Sequence, residues 1–493
     1  MTTGFALAEW SRLFYLKFDA TSPEIINLKT YFCDIIGMLA WKMFLFKLNN
    51  LNVFIIMNRI IIIGNGFDLA HNLKTGYKDF INDYWATVEE GVYDKYWRLL
   101  DQQYGGAKHP LNDYEDQFIK IEKEYDQTRV NKVCSFYKDK KDNPLGKLHT
   151  LIDDHNNDPS ANVTVHLKFK NHFFERISNQ CSPENWVDIE NEYYNALKKL
   201  LLEEDPQKQA KSVRKLNKEF DDVKNLLESY LTKITENTEI AKHQSIENAF
   251  SCCVEFDDIA TYKKTEFVNS IFSDISFMDD ITWDADREKD SQYSCLSIEE
   301  AKIYFIEKHC KQKTFKERFC IPCTLILNFN YTKTAEKLYT DENFNEIINI
   351  HGELNSENNP IIFGYGDELD DDYKKIEKLQ NNDFLENIKS IQYHQTRNYK
   401  KLLNFIASGP YQIFIMGHSC GNSDRTLLNT LFEHDNCLSI KVFYYQIDKK
   451  TNDYADKIKN ISRNFNNKSN MRDIVVNREN CSPLVPIETE VAE

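Results

Sequence analysis

Residues 59–70 read Arg59-Ile60-Ile61-Ile62-Ile63-Gly64-Asn65-Gly66-Phe67-Asp68-Leu69-Ala70. Four consecutive β-branched isoleucines are the mark of a strand buried on both faces, as in a parallel sheet covered by helices. Gly64-Asn65-Gly66 ends the strand, and Phe67-Asp68-Leu69-Ala70 opens a helix. Two glycines here allow a tight turn and let a pyrophosphate approach backbone N–H groups, while the helix N-terminus adds its positive dipole end. The pattern is Gly-x-Gly-x-x-x-Ala, short of the full Gly-x-Gly-x-x-Gly. Nor does a second strand with a terminal acidic residue follow about 20 residues on, because helix follows instead, so an ordinary dehydrogenase is disfavoured. A plain strand-to-helix turn is the competing reading.

Working outward, strand signals return only after residue 320. Thr324-Leu325-Ile326-Leu327 leads to Asn328-Phe329-Asn330, and Ile347-Ile348-Asn349-Ile350 leads to His351-Gly352. Ile361-Ile362-Phe363 leads to Gly364-Tyr365-Gly366, and Gln412-Ile413-Phe414-Ile415-Met416 leads to Gly417-His418-Ser419. Lys441-Val442-Phe443-Tyr444-Tyr445 is a fifth. Four of the five end in small or polar residues at the edge where open parallel sheets bind ligands.

Between 78 and 320 the chain reads as mostly helical. Trp186, Ile189, Tyr193, Leu197 and Leu200 share one helical face. Val213, Leu216, Phe220, Val223, Leu227, Tyr230 and Ile234 step by three and four, so the two helices are expected to form an antiparallel hairpin. Residues 104–165 are polar and uneven and read as loops and short helices. The expected fold is α/β: a Rossmann-like, doubly wound, mostly parallel sheet with a large α-helical insertion after the first strand and helix. The expected core is 57–80 and 320–480, the insertion 81–319, and 481–493 a C-terminal tail. Residues 1–56 read as a weakly structured extension, with Met57 the natural start.

The 493 residues carry a net charge of -16, which gives no global footprint for nucleic-acid phosphates. Residues 31–56 are apolar but broken by Asp34, Lys42 and Lys47, so neither a membrane span nor a signal peptide is expected. Twelve cysteines at irregular spacing, with one Cys-x-x-Cys at Cys320–Cys323, read as reduced core thiols of a cytoplasmic protein, with no metal expected.

Asn330 and His351 stand at the ends of two strands. A neutral imidazole accepts a proton near pH 7, and an amide orients a water or a sugar hydroxyl. Gly417 and Ser419 lie in another ligand-facing turn. Asp68 is a ribose contact or a helix cap, and Glu190 is a site candidate or a solvated or paired carboxylate. Ser423-Asp424 reads first as the cap of the helix carrying Leu427, Leu428 and Leu431.

Taken together, these blocks resemble the abortive-infection AbiH family of bacterial phage-defence proteins. The resemblance rests on Ile63-Gly64-Asn65-Gly66-Phe67-Asp68-Leu69-Ala70, Thr75-Gly76-Tyr77-Lys78-Asp79-Phe80 and Trp186-Val187-Asp188-Ile189-Glu190. It extends through Asn328–Thr332, Ile350–Gly352, Phe363–Gly366, Gly417–Ser419 and Ser423-Asp424, covering about residues 57 to 450. More distantly, the order of the blocks is similar to sirtuin-like NAD-consuming defence domains, whose catalytic Asn and His would match Asn330 and His351. Thr332 departs from that pattern, the first turn differs, and no zinc ribbon is present, which disfavours protein deacetylation. The resemblance implies an antiphage protein that binds NAD or a related nucleotide. Catalytic Asn330 and His351 would hydrolyse its N-glycosidic bond, and Gly64, Asn65, Gly66, Asp68, Gly417 and Ser419 would hold the ligand. The alternative is a nucleotide-responsive sensor without turnover. A phage or host protein trigger and a homo-oligomer are the expected partners, with no nucleic acid and no membrane.

Overall fold

The computed structural model describes residues 57–92, 112–124, 144–157, 164–180, 188–252, 255–272, 297–310, 323–340 and 345–487. The N-terminal 56 residues, Trp186 and Cys320 lie outside them.

The isoleucine run forms β1 (Asn58–Ile63). It is followed by α1 (Asn65–Ala70), a helix of only six residues that stops at His71, and then by α2 (Tyr77–Val92). Strands β5 (Cys323–Asn328), β6 (Asn345–Asn349), β7 (Tyr411–Met416) and β8 (Cys437–Phe443) complete a five-stranded sheet ordered β6-β5-β1-β7-β8, and every pair is parallel. Helices cover both faces. Ile60 and Ile62 pack with Leu325, Leu327, Ile413 and Ile415 against Leu402, Ile406 and Leu428 on one side. Ile61 and Ile63 pack with Ile326, Phe414 and Met416 against Phe67, Ala335 and Tyr339 on the other. Each fully buried isoleucine stabilises by about 1.5–3 kcal/mol, so β1 anchors the core.

Strand order reverses at β1. From it the chain builds outward through β5 and β6, then crosses to the opposite side for β7 and β8. In open parallel sheets such a reversal marks a crevice at the C-terminal edge, where ligands bind.

The intervening block holds the expected hairpin. Helix α5 (Ile189–Leu200) follows α3 (Pro144–Asn157) and α4 (His172–Gln180), and packs against α6 (Pro206–Asn237). Asp188 caps α5 through the Asn191 N–H at 3.1 Å. Asp205 caps α6, with Pro206 placed where no N–H is needed. Phe220 stacks on Phe363, and Tyr194 on Tyr365, which docks the block onto the core.

Two expectations fail here. The stretch 104–165, expected as loops and short helices, contains β2 (Tyr114–Glu115), β3 (Ile119–Glu124) and the 14-residue α3, and β3 pairs antiparallel with β4 (Thr164–Phe169), which starts at its end. Its strands are short, and β4 lies far from β3 in sequence, so the alternation never accumulates locally. Residues 361–363 form no strand. Beyond them, the Tyr365 N–H bonds to Asn387 O and the Lys389 N–H to Tyr365 O, pairing this segment with residues 387–389.

Candidate functional site

A cavity of about 1090 Å³ opens at the crevice, lined from β1, β5, β6, β7 and the helical block. Its floor is the first turn. The Gly64 N–H bonds to Met416 O, the Gly66 N–H to Gly417 O and the Phe67 N–H to Gly64 O. Three of the turn's N–H groups are thus committed within the protein. A Cβ on Gly64 would stand 2.5 Å from His418 Cα. Gly417 has φ +76°, and a Cβ there would meet Phe67 N at 2.0 Å. These glycines let two turns touch backbone to backbone, a demand that holds without any phosphate.

The Asn328–Thr332 block shapes the next wall. Asn328 Nδ2 donates to Thr332 O at 3.0 Å and to Asn349 Oδ1 at 2.9 Å, while its Oδ1 accepts from the Asn330 N–H at 3.0 Å. This holds Asn330 so that Nδ2 donates to Gly64 O at 3.1 Å. Phe329 packs between the rings of His351 and His418, with centroids 4.9 and 4.3 Å away.

A buried ionic cluster also lines the cavity. Lys389 Nζ donates to Glu190 Oε2 at 2.8 Å and to Asp424 Oδ1 at 2.7 Å. His351 Nε2 lies 3.2 Å from Asp424 Oδ1 and 3.2 Å from the Tyr393 hydroxyl. His418 Nε2 lies 3.5 Å from Asp424 Oδ2, and its Nδ1 accepts the Cys420 N–H at 3.0 Å. Glu190 Oε1 accepts the Gly364 N–H at 3.3 Å. An ionised Asp424 can only accept, so it fixes His351 with its proton on Nε2.

The charges divide unequally. Burial alone would depress the Lys389 ammonium, but Asp424 and Glu190 hold it above its ordinary range. Burial alone would raise Asp424; Lys389, then His351, hold it well below the usual carboxylate range. Burial pushes Glu190 up, and Asp424 repels it further, against the pull of Lys389. Burial, aided by the Lys389 charge, drives His351 down to about 4, so it is neutral at pH 7. Asp68 is 1% exposed and raised to about 6 by burial, with Thr332, Thr334 and Asn330 beside it working in the opposite sense. Its Oδ2 accepts from Thr332 Oγ1 at 2.6 Å; its Oδ1 has no partner.

The family profile of bacteriophage abortive infection AbiH matches residues 60–446. The chain belongs to the AbiH family. That membership ties it to abortive-infection defence against bacteriophage. No curated protein and no solved structure matches it.

In this AbiH chain the cavity gathers Gly64, Asn65, Gly66, Asp68, Glu190, Asn330, His351, Gly417, Ser419 and Asp424. The capping role expected of Asp424 is overturned. It occupies the cap position before the helix Arg425–Phe432, yet its side chain makes no cap hydrogen bond and turns to Lys389 and the histidines instead. Glu190 is a paired carboxylate and also lines the cavity. Sequence reasoning missed Lys389, Tyr393 and His418 as site residues. Lys457 and Asn460 also line the cavity: Lys457 Nζ donates to His418 O at 3.0 Å, and Asn460 Nδ2 to Ser419 O at 2.9 Å. Both lie past residue 446, as do the lining residues Leu484–Ile487. Among the described residues, no cluster of three or more His, Cys, Asp or Glu is arranged to hold a metal, and no helix is long and apolar enough to cross a membrane.

Proposed function

We propose that this protein binds NAD or a related nucleotide in the cavity and hydrolyses its N-glycosidic bond as an antiphage defence reaction. The observation that carries this reading is the convergence of Asn330, neutral His351 and Glu190 on one cavity at the strand-order reversal. The cavity, at about 1090 Å³, lies just above the roughly 300–1,000 Å³ usual for small-molecule sites.

In the proposed reaction the bond between ribose C1′ and the nicotinamide nitrogen breaks. Its electron pair goes to the nitrogen, which loses its positive charge and needs no acid. A water oxygen bonds to C1′, and its proton passes to His351, whose Nε2 is already turned to Asp424. Asn330, fixed by Gly64 O and Asn328, orients the water or a sugar hydroxyl through its amide oxygen. Asp424 stabilises the imidazolium that forms. The closed floor of the first turn argues that the ligand's phosphates take few contacts there.

One observation favours a second reading, a sensor without turnover. The charges of Glu190, Lys389 and Asp424 already satisfy one another, as in a structural network. Incubating the purified protein with NAD and following nicotinamide release separates the two. Release supports hydrolysis, whereas NAD binding without release supports the sensor.

A further inference from the structure

Asp68 holds an acceptor that the fold does not use. Its carboxyl is buried and lines the cavity, Thr332 occupies Oδ2, and Oδ1 has no hydrogen-bond partner. Leaving a desolvated acceptor unpaired is destabilising, more so when it is charged, and a ligand donor removes that cost. Its neighbours extend the pattern. Asn330 spends Nδ2 on Gly64 O, and its amide oxygen is free of partners among the described residues. Asn65 spends Oδ1 on the Thr75 hydroxyl, which leaves its Nδ2 as a donor. Two acceptors and a donor thus line the cavity beside the β1 turn. A phosphate offers only acceptors at neutral pH, so two of these three groups oppose it. A pair of vicinal hydroxyls, each both donor and acceptor, suits all three.

We propose that Asp68, with Asn330 and Asn65, grips the free 2′- and 3′-hydroxyls of a ribosyl ligand, and that Asp68 sets specificity for an unmodified ribose. This rests on the nucleotide-binding reading above. It adds the class of sugar: ribosides are accepted, while deoxyribosides and ligands phosphorylated on these hydroxyls are refused. Asp68 is here a specificity residue and takes no proton in the reaction.

Calorimetric titration tests it with NAD and with NAD analogues lacking the 2′- or the 3′-hydroxyl of the nicotinamide ribose. The wild-type protein is expected to bind at least one deoxy analogue about tenfold or more weakly than NAD, the scale of a lost hydrogen bond to a charged group. Asp68→Asn keeps an oxygen for Thr332 but offers an amide where the free acceptor stood. It is expected to weaken NAD by a similar factor and to lose the discrimination between NAD and that analogue, which a merely structural role would not do. Wild-type protein that binds NAD and both analogues equally overturns the inference, without need of the variant. So does an Asp68→Asn protein that still discriminates. NAD binding that depends on Asp68 without nicotinamide release sinks hydrolysis alone. Failure of wild-type protein to bind NAD or ADP-ribose sinks both.

Discussion

The Gly64–Gly66 turn and the Lys389 cluster line one cavity, yet they treat their polar groups in opposite ways. The turn spends the N–H groups of Gly64, Gly66 and Phe67 on neighbouring backbone, and its glycines serve contact between the β1 and β7 loops. The cluster crowds two carboxylates, two histidines and one lysine into a buried volume where they cannot all carry full charge. Neutral backbone dipoles are easily satisfied in pairs. Buried ionisable groups settle their mutual repulsion by moving protons, and such groups can do acid–base work. The motif that stands out in sequence thus packs two loops together, and the buried ionisable groups beside it are assembled from distant segments.

Removing the cation is expected to have the largest effect. Lys389→Met leaves Glu190 and Asp424 buried with no positive partner between them, and should cost about 3–5 kcal/mol of unfolding free energy in chemical denaturation. A loss below about 1 kcal/mol would show that the cluster is already neutral and would erase the contrast with the turn.

The turn should respond as packing does. Gly64→Val drives a β-branched side chain into His418, and is expected to destabilise by about 3 kcal/mol whether or not a nucleotide is present. If that variant keeps wild-type stability and loses only ligand affinity, the turn is a phosphate cradle after all.

Asp68 gives the smallest effect and a defined sign. Its folded-state value, about 6, lies above the ordinary 3.8, so the native state binds the extra proton. Stability from this group is therefore lost as pH rises from about 4 through 6, the reverse of an ion-paired carboxylate. Asp68→Asn cannot titrate. The stability of the variant relative to wild type should rise by about 2 kcal/mol between pH 4.5 and 7.5, which denaturation at the two pH values measures. A flat difference would mean that Asp68 is not desolvated.

Much of the frame was legible in sequence because parallel strands buried on both faces cannot avoid runs such as Ile60–Ile63 and Leu325–Leu327. The α5–α6 hairpin was legible because its apolar steps persist from Val213 to Ile234. Asn330 and His351 could be placed at one sheet edge since both follow such runs. Lys389 could not. It sits in a segment without periodicity, and its two carboxylates lie 199 and 35 residues away. Asp424 misled because an Asp before a helix usually caps it, and only the fold reveals a stronger partner. Glu190 illustrates a third case, a helix-face carboxylate whose sequence spacing suits both an ion pair and a ligand wall. The β3–β4 pairing was hidden by distance along the chain, since neither strand is long enough to declare itself.

Nicotinamide release measured beside NAD affinity, in wild-type protein, Asn330→Ala and His351→Ala, tests the central claim most directly. The account predicts release by the wild type, a fall of about 10²-fold or more in turnover for each variant, and affinity changed far less. Turnover that survives in both variants would contradict the assignment of chemistry to this sheet edge, and tight NAD binding without release by the wild type would contradict hydrolysis itself.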